Sequence, residues 1–257
     1  ATGLANALAC FDRAIELRRA IVASGRPEFL YGLGSSWLNR GEALLRHGGP
    51  SELEAAVTAF DHGISALDSL NWRVNARVRR RLAVGWHNRG LALQSHLAEK
   101  ARESFAQALA VLDAAPTQAV EGERLLRGAV LTSLTHAWAT DTAGDPEGTA
   151  AAAAQQAIDL VSLAEAEGDV QAAEVAVKAR YALCRAIVHR LPIQGALKPT
   201  EQGVLHRITD AVDEALGLVR TLERRGRPDF RLLAIDLLRL GIRVYARFQP
   251  QFLDEFH

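Results

Sequence analysis

The chain has 257 residues, of which 49% are hydrophobic, and 30 basic side chains balance 30 acidic ones. That length allows one large domain or two smaller ones with a sizeable core. A neutral chain lacks the overall charge signature of a nucleic-acid-binding or membrane-surface protein.

No apolar run approaches the roughly 18 residues that span a bilayer, and no basic-then-apolar leader opens the sequence, so a soluble, cytoplasmic protein is expected. The sequence starts at Ala1 and contains no methionine. This suggests a trimmed or processed product, which leaves room for a lost targeting segment, or part of a longer chain. Cys10 and Cys184 each fall within an apolar helical pattern, so both are expected to be buried small hydrophobes in a reducing compartment.

The first segment, residues 2 to 24, places Ala7, Phe11, Ala14 and Ile15 at helical spacing. Gly25-Arg26-Pro27 interrupts it, and Pro is placed where a new helix begins without losing a needed hydrogen bond. Residues 26 to 47 follow with an apolar stripe of Leu30, Leu33, Trp37, Gly41 and Leu44, then the turn Gly48-Gly49-Pro50 and a helix over 50 to 70 carrying Ala56, Phe60 and Ile64. Residues 73 to 96 and 98 to 114 repeat the scheme with Trp86, Gly90, Ala101 and Phe105. The match weakens past Pro116. Even so, helices are predicted over 119 to 141 and 146 to 167, with Thr135 and Ala154 separated by the same 19 positions as Gly41 and Phe60. The alanine-rich run from Gly148 to Ala154 reads as close helix packing. Helices over 169 to 190 and 199 to 225 precede Gly226-Arg227-Pro228-Asp229-Phe230, a near copy of Gly25-Arg26-Pro27-Glu28-Phe29. A last helix over 228 to 247 ends the array, and Phe252, Leu253 and Phe256 in the tail are placed to cover its outer face.

Trp37-Leu38-Asn39-Arg40-Gly41 recurs as Trp86-His87-Asn88-Arg89-Gly90, 49 residues later. Trp37, Gly41 and Leu44, followed by Ala56 and Phe60, resemble the tetratricopeptide signature, as do Trp86, Gly90, Leu93, Ala101 and Phe105. Arg40 and Arg89 depart from it, standing where leucine is usual, and the repeat is longer than the family's roughly 34 residues. The resemblance is specific over residues 31 to 115. It implies an all-α, right-handed superhelical solenoid of about five antiparallel hairpins. The whole chain, 1 to 257, is expected to form one such domain, with breaks near 25–27, 70–73, 115–118, 167–169 and 225–228. Glycine costs about 0.5 to 1 kcal/mol inside a helix, so Gly41 and Gly90 point to a neighbour passing too close for a side chain. Phe11, Phe60 and Phe105 are expected to fill gaps between hairpins, and Trp37 and Trp86 to be core.

The motifs of catalysis are missing. There is no His-Glu-x-x-His, Cys-x-x-Cys, phosphate loop or nucleophile elbow, so the expectation is a non-enzyme without cofactor. His47, His87, His96 and His136 lack metal-ligand spacing, and no metal is expected. Asp141-Thr142-Ala143-Gly144-Asp145 reads as a capped turn and not a cation loop.

In peptide-binding members of the family the first helix of each pair lines a concave groove where an Asn bonds the ligand. The resemblance carries that role to Asn39 and Asn88, against the plain alternative of solvated positions. Ser35 and Val84 stand where the carboxylate-clamp members carry a basic residue, which argues against capture of a C-terminal carboxylate.

Charge is sorted by helix type: the five first-type segments sum to +10 and the five second-type segments to −9. Either the positive helices pair along their flanks with negative ones, with residues 50 to 70 serving Arg73, Arg77, Arg79, Arg80 and Arg81, or the concave face is basic. In the second case an acidic protein or peptide is steered inward. Arg81, His87, Asn88 and Gln94 would then lie at the centre, with Asn39, Ser133 and His136 to either side. Nucleic acid is the weaker partner, since stacking aromatics are not clustered, and no membrane partner is expected. Three classes stay open: an interaction module holding a peptide or partner helix, a regulatory or scaffolding part of a longer protein, and an enzyme. The first segment lacks a partner helix, so it is expected to expose apolar surface open to a second subunit.

Overall fold

The computed structural model describes residues 2–114, 121–139, 148–191 and 202–248, which contain ten α-helices and no strand. They are α1 (Thr2–Ala23), α2 (Leu30–His47), α3 (Leu53–Asp68), α4 (Ala76–Leu93), α5 (Ala98–Asp113), α6 (Glu121–Ala139), α7 (Thr149–Ala166), α8 (Val170–Arg190), α9 (Gln202–Arg224) and α10 (Arg231–Phe248). Each predicted segment holds one of them, α10 running one residue past the predicted end at 247. The Asp141 to Asp145 turn and the tail with Phe252, Leu253 and Phe256 lie outside the described residues. The chain divides into two compact units, Ala1–Glu123 and Arg124–His257, with the boundary in the first turn of α6.

In the first unit each helix packs on the next, and α2 also reaches α4. Antiparallel pairing follows from the residues that meet. A Cβ on Gly41 would stand 2.7 Å from Phe60 Cε1, while one on Gly34 would stand 2.8 Å from Leu67 Cγ and 3.1 Å from the Gly63 carbonyl. A side chain at Gly63 would in turn meet Leu38 and the Gly34 carbonyl. The α2 and α3 backbones therefore touch at Gly34 and Gly63, and the close approach offsets the propensity cost of two helical glycines. Gly90 receives Phe105 in the same way between α4 and α5. Phe60 and Phe105 are fully buried.

Several expectations need correction. Phe60 and Phe105 close on the glycine of their own hairpin, whereas Phe11 is only half-buried. Trp37 and Trp86 are half-buried, and Leu38 and Leu82 take the deepest places beside them. A ring as broad as indole fits the edge of so close a helix pair better than its centre, where leucine and glycine interlock. Cys10 is exposed, because α1 turns only one face to α2, but Cys184 is buried as expected. Ile15 is the only side chain of α1 described as buried, and Leu17 is 48% exposed.

In the second unit α7 packs on α8, α8 on α9 and α9 on α10, with α10 also against α8. The alanine run does bring helices close: Ala150, Ala153, Ala154 and Ala157 are buried. Thr135, in the place of Gly41, is fully buried and satisfies its hydroxyl by donating to the carbonyls of Leu131 at 2.9 Å and Ala150 at 3.1 Å. Arg180 ties two neighbours together, donating to Glu165 of α7 and Glu214 of α9. The last helix exposes an apolar stripe of Leu232, Ile235 and Ile242.

The two Gly-Arg-Pro turns have one geometry. Gly25 and Gly226 take φ of +90° and +80°, the left-handed end of a helix that glycine accepts without strain. A single 3-10 turn starting at Pro27 or Pro228 follows. Arg26 donates to Glu28 at 2.8 Å and lies over Phe29, and Arg227 donates to Asp229 at 2.9 Å and lies over Phe230. The recurring acid and phenylalanine are therefore parts of the turn, each engaged by its arginine.

Candidate functional site

Asn75 starts α4 by accepting the backbone N–H groups of Arg77 and Val78 at 3.1 and 3.2 Å. From that start Arg77, Arg80, Arg81 and Val84 fall at intervals of three and four residues on one helical face. This face borders a cavity of about 480 Å³, completed by Tyr31 of α2 and by Gly122 and Glu123 in the first turn of α6. All of it lies in the first unit.

The charges around the cavity do not cancel. Arg79, behind the lining, donates from Nε and Nη2 to Glu123 Oε1 at 3.2 and 2.9 Å, and both side chains are about 95% buried. Glu123 Oε2 is buried and has no hydrogen-bond partner among the described residues. Arg77 lies 4.6 Å above the Tyr31 ring, and Arg81 donates to Asn39 Oδ1 and to the Ser35 carbonyl. Neither arrangement supplies a negative charge. Arg80 comes close to Gly122, where a Cβ would stand 2.9 Å from its Nη1. Among the described residues none of Arg77, Arg80 and Arg81 has a carboxylate partner.

The alternative in which residues 50 to 70 serve these arginines is not what forms among the described residues. Three of the four acids of that segment are engaged elsewhere. Glu52 accepts from the Gly49 N–H and the Ser51 hydroxyl, Asp61 pairs with Arg89 at 2.6 Å, and Asp68 accepts from Trp72 Nε1 at 3.0 Å. Arg73 lies over the Trp72 ring.

Of the residues singled out from sequence, Asn39 and Arg81 are brought into direct contact at the cavity edge. Asn88 and Gln94 lie further along α4, both half-buried. His87 is half-buried, with its ring 5.8 Å from Phe105. Ser133 and His136 belong to the second unit, where Ser133 donates to the Ala129 carbonyl and His136 Nδ1 lies 3.3 Å from an Arg185 nitrogen. Burial first, and the Arg185 charge second, hold the His136 imidazole below its ordinary pKa. Arg77, Arg80, Tyr31 and Glu123 were not singled out as site residues one by one. The signal for the arginines was their spacing on α4, but nothing local in the sequence ties Glu123 to Arg79 across 44 positions.

A second hollow of about 510 Å³ lies beside Trp37, lined also by Asp12, Arg40 and His62. The Trp37 and His62 rings are 4.6 Å apart, and Arg40 is bonded to Asp12 at 2.7 Å, so its charge is compensated. The first cavity holds unpaired positive charge, whereas the second is bordered by Glu54, which has no ion pair among the described residues. Among the described residues no three His, Cys, Asp or Glu side chains gather as a metal site requires, and no helix is long and apolar enough to cross a membrane. No protein-family model matches the chain, and neither a curated protein nor a solved structure matches it.

Proposed function

We propose that this chain is a non-enzymatic, tetratricopeptide-like interaction module whose hairpins stack in a right-handed superhelix and whose first-type helices bind an acidic protein segment. One observation carries the reading: Arg77, Arg80 and Arg81 converge on one cavity, none of them has a carboxylate partner among the described residues, and the Glu123 carboxylate that lines it is engaged by Arg79. Uncompensated guanidinium groups at a cleft steer acidic partners and pair with carboxylates bidentately. Asn39 serves this reading by orienting Arg81, and Asn88 by offering its amide two turns further along α4. The test is binding of a synthetic Glu-Ala repeat peptide at rising salt, where screening lengths shorten from about 10 Å at 0.1 M. Affinity should fall with salt and again with Asn39→Ala and Asn88→Ala, while circular dichroism stays unchanged. Binding indifferent to both removes the proposal, and small-angle scattering tests the superhelix independently.

A second reading, a scaffold that self-associates, rests on the exposed stripe of Leu232, Ile235 and Ile242 on α10. Helix faces of this kind are buried by neighbours in a repeat array, and a second copy supplies one.

A further inference from the structure

We infer that the cavity between α2, α4 and the first turn of α6 is a site for a phosphate monoester whose organic part donates a hydrogen bond to Glu123. This deepens the acidic-segment reading, because it specifies the ligand class at the centre of the same basic face.

The charge count favours a dianion. Arg79 and Glu123 cancel one another in their buried contact, which among the described residues leaves Arg77, Arg80 and Arg81 as a surplus of three positive charges around about 480 Å³. One side-chain carboxylate would neutralise only a third of that surplus. A phosphate monoester carries about −1.5 to −2 charge near neutral pH and offers three acceptor oxygens to forked guanidinium donors. The first turn of α4 borders the cavity through Ala76 and Arg77, so the positive end of its helix dipole adds to the field.

An inorganic ion would leave one feature unexplained. Glu123 is 3% exposed, lines the cavity, and among the described residues keeps Oε2 without a partner although Oε1 takes two bonds from Arg79. A buried carboxylate oxygen without a donor is costly, and a ligand N–H or O–H would relieve that cost. It would also repel a bare phosphate placed against it. The ligand is therefore bipolar: a phosphoryl group at the arginines and a hydrogen-bond donor at Glu123. The volume falls in the range of small-ligand pockets. A phosphorylated serine or threonine with its peptide N–H and a nucleoside monophosphate with its exocyclic amine share this chemistry.

Isothermal titration with N-acetyl-O-phosphoserine amide, adenosine monophosphate, inorganic phosphate and N-acetylglutamate amide separates the cases. At least one of the two monoesters should bind about tenfold or more tightly than inorganic phosphate and the glutamate analogue. Which one it is identifies the source. Arg77→Ala and Arg80→Ala alter exposed side chains and should each weaken the monoester about tenfold. Arg46→Ala, at the far end of α2, should leave its affinity unchanged. Equal affinity for all four probes, or loss of affinity that is the same in Arg46→Ala as in Arg80→Ala, overturns the inference. If the Glu-Ala peptide still binds with salt dependence, the acidic-segment reading survives that outcome. If the monoester binds and the peptide does not, the segment reading falls and the phosphate site stands.

Discussion

Arg40 donates from Nε to Asp12 at 2.7 Å, and 49 residues further on for both partners the same bond forms from Arg89 to Asp61 at 2.6 Å. These arginines stand where the tetratricopeptide signature has leucine, each just before the glycine that receives the next phenylalanine. α2 and α4 are thus each tied by charge to the helix before and by an aromatic ring to the helix after. The arginine at this place is a cross-link between consecutive helices. Its energetic weight is small, because both aspartates are more than half exposed. Arg40→Ala should cost under about 1 kcal/mol. Glu123→Ala, which strands the buried Arg79, should cost about 3 to 5 kcal/mol. Urea denaturation of the two variants checks the contrast, and similar midpoints would contradict it.

Two glycine substitutions should have opposite signs. Gly41→Ala sets a methyl 2.7 Å from the buried Phe60 ring, and overpacking of about 1 to 3 kcal/mol should exceed the helix gain. Gly217→Ala on exposed α9 meets nothing within 4 Å and should stabilise by about 0.5 to 1 kcal/mol. The melting temperature should fall in the first and rise in the second.

The His136 pKa is depressed in the folded chain, so the neutral imidazole is the form that folding favours. The associated stability is present above the unfolded value of about 6.5 and is lost as pH falls below it through the folded pKa. Thermal melts at pH 7.5 and pH 5.5 should differ more in the parent chain than in His136→Gln, which cannot take up the proton. An equal drop in both would show that other groups dominate.

The two thiols should react differently. Cys10 is exposed, whereas burial pushes the Cys184 thiol up to about 12. A colorimetric thiol reagent should modify Cys10 in the folded chain and reach Cys184 only in denaturant, because the thiolate is the reacting form. Two fast-reacting thiols under native conditions would contradict this.

If α10 is a contact between copies, Leu232→Glu and Ile235→Glu should convert a concentration-dependent light-scattering mass to that of a monomer without loss of helicity. A parent chain that is monomeric at every concentration removes the scaffold reading.

The sequence by itself determined the ten helices, because the apolar spacing and the glycine and proline breaks act within a few residues of one another. It also marked Gly41 and Gly90 as points of close approach, but that Phe60 and Phe105 of the same hairpin fill them, and not the gaps between hairpins, was decided by packing. It marked Asn39 and Arg81, but not that they bond to each other. Only the tertiary structure decided which charges are neutralised: Arg79 finds Glu123 across 44 residues, and Arg77, Arg80 and Arg81, on the same helix, find no carboxylate among the described residues. Helix periodicity fixes the face on which a side chain emerges. The charge it meets depends on which distant turn the packing brings against that face, and the sorting of charge along the sequence therefore left pairing and groove equally open.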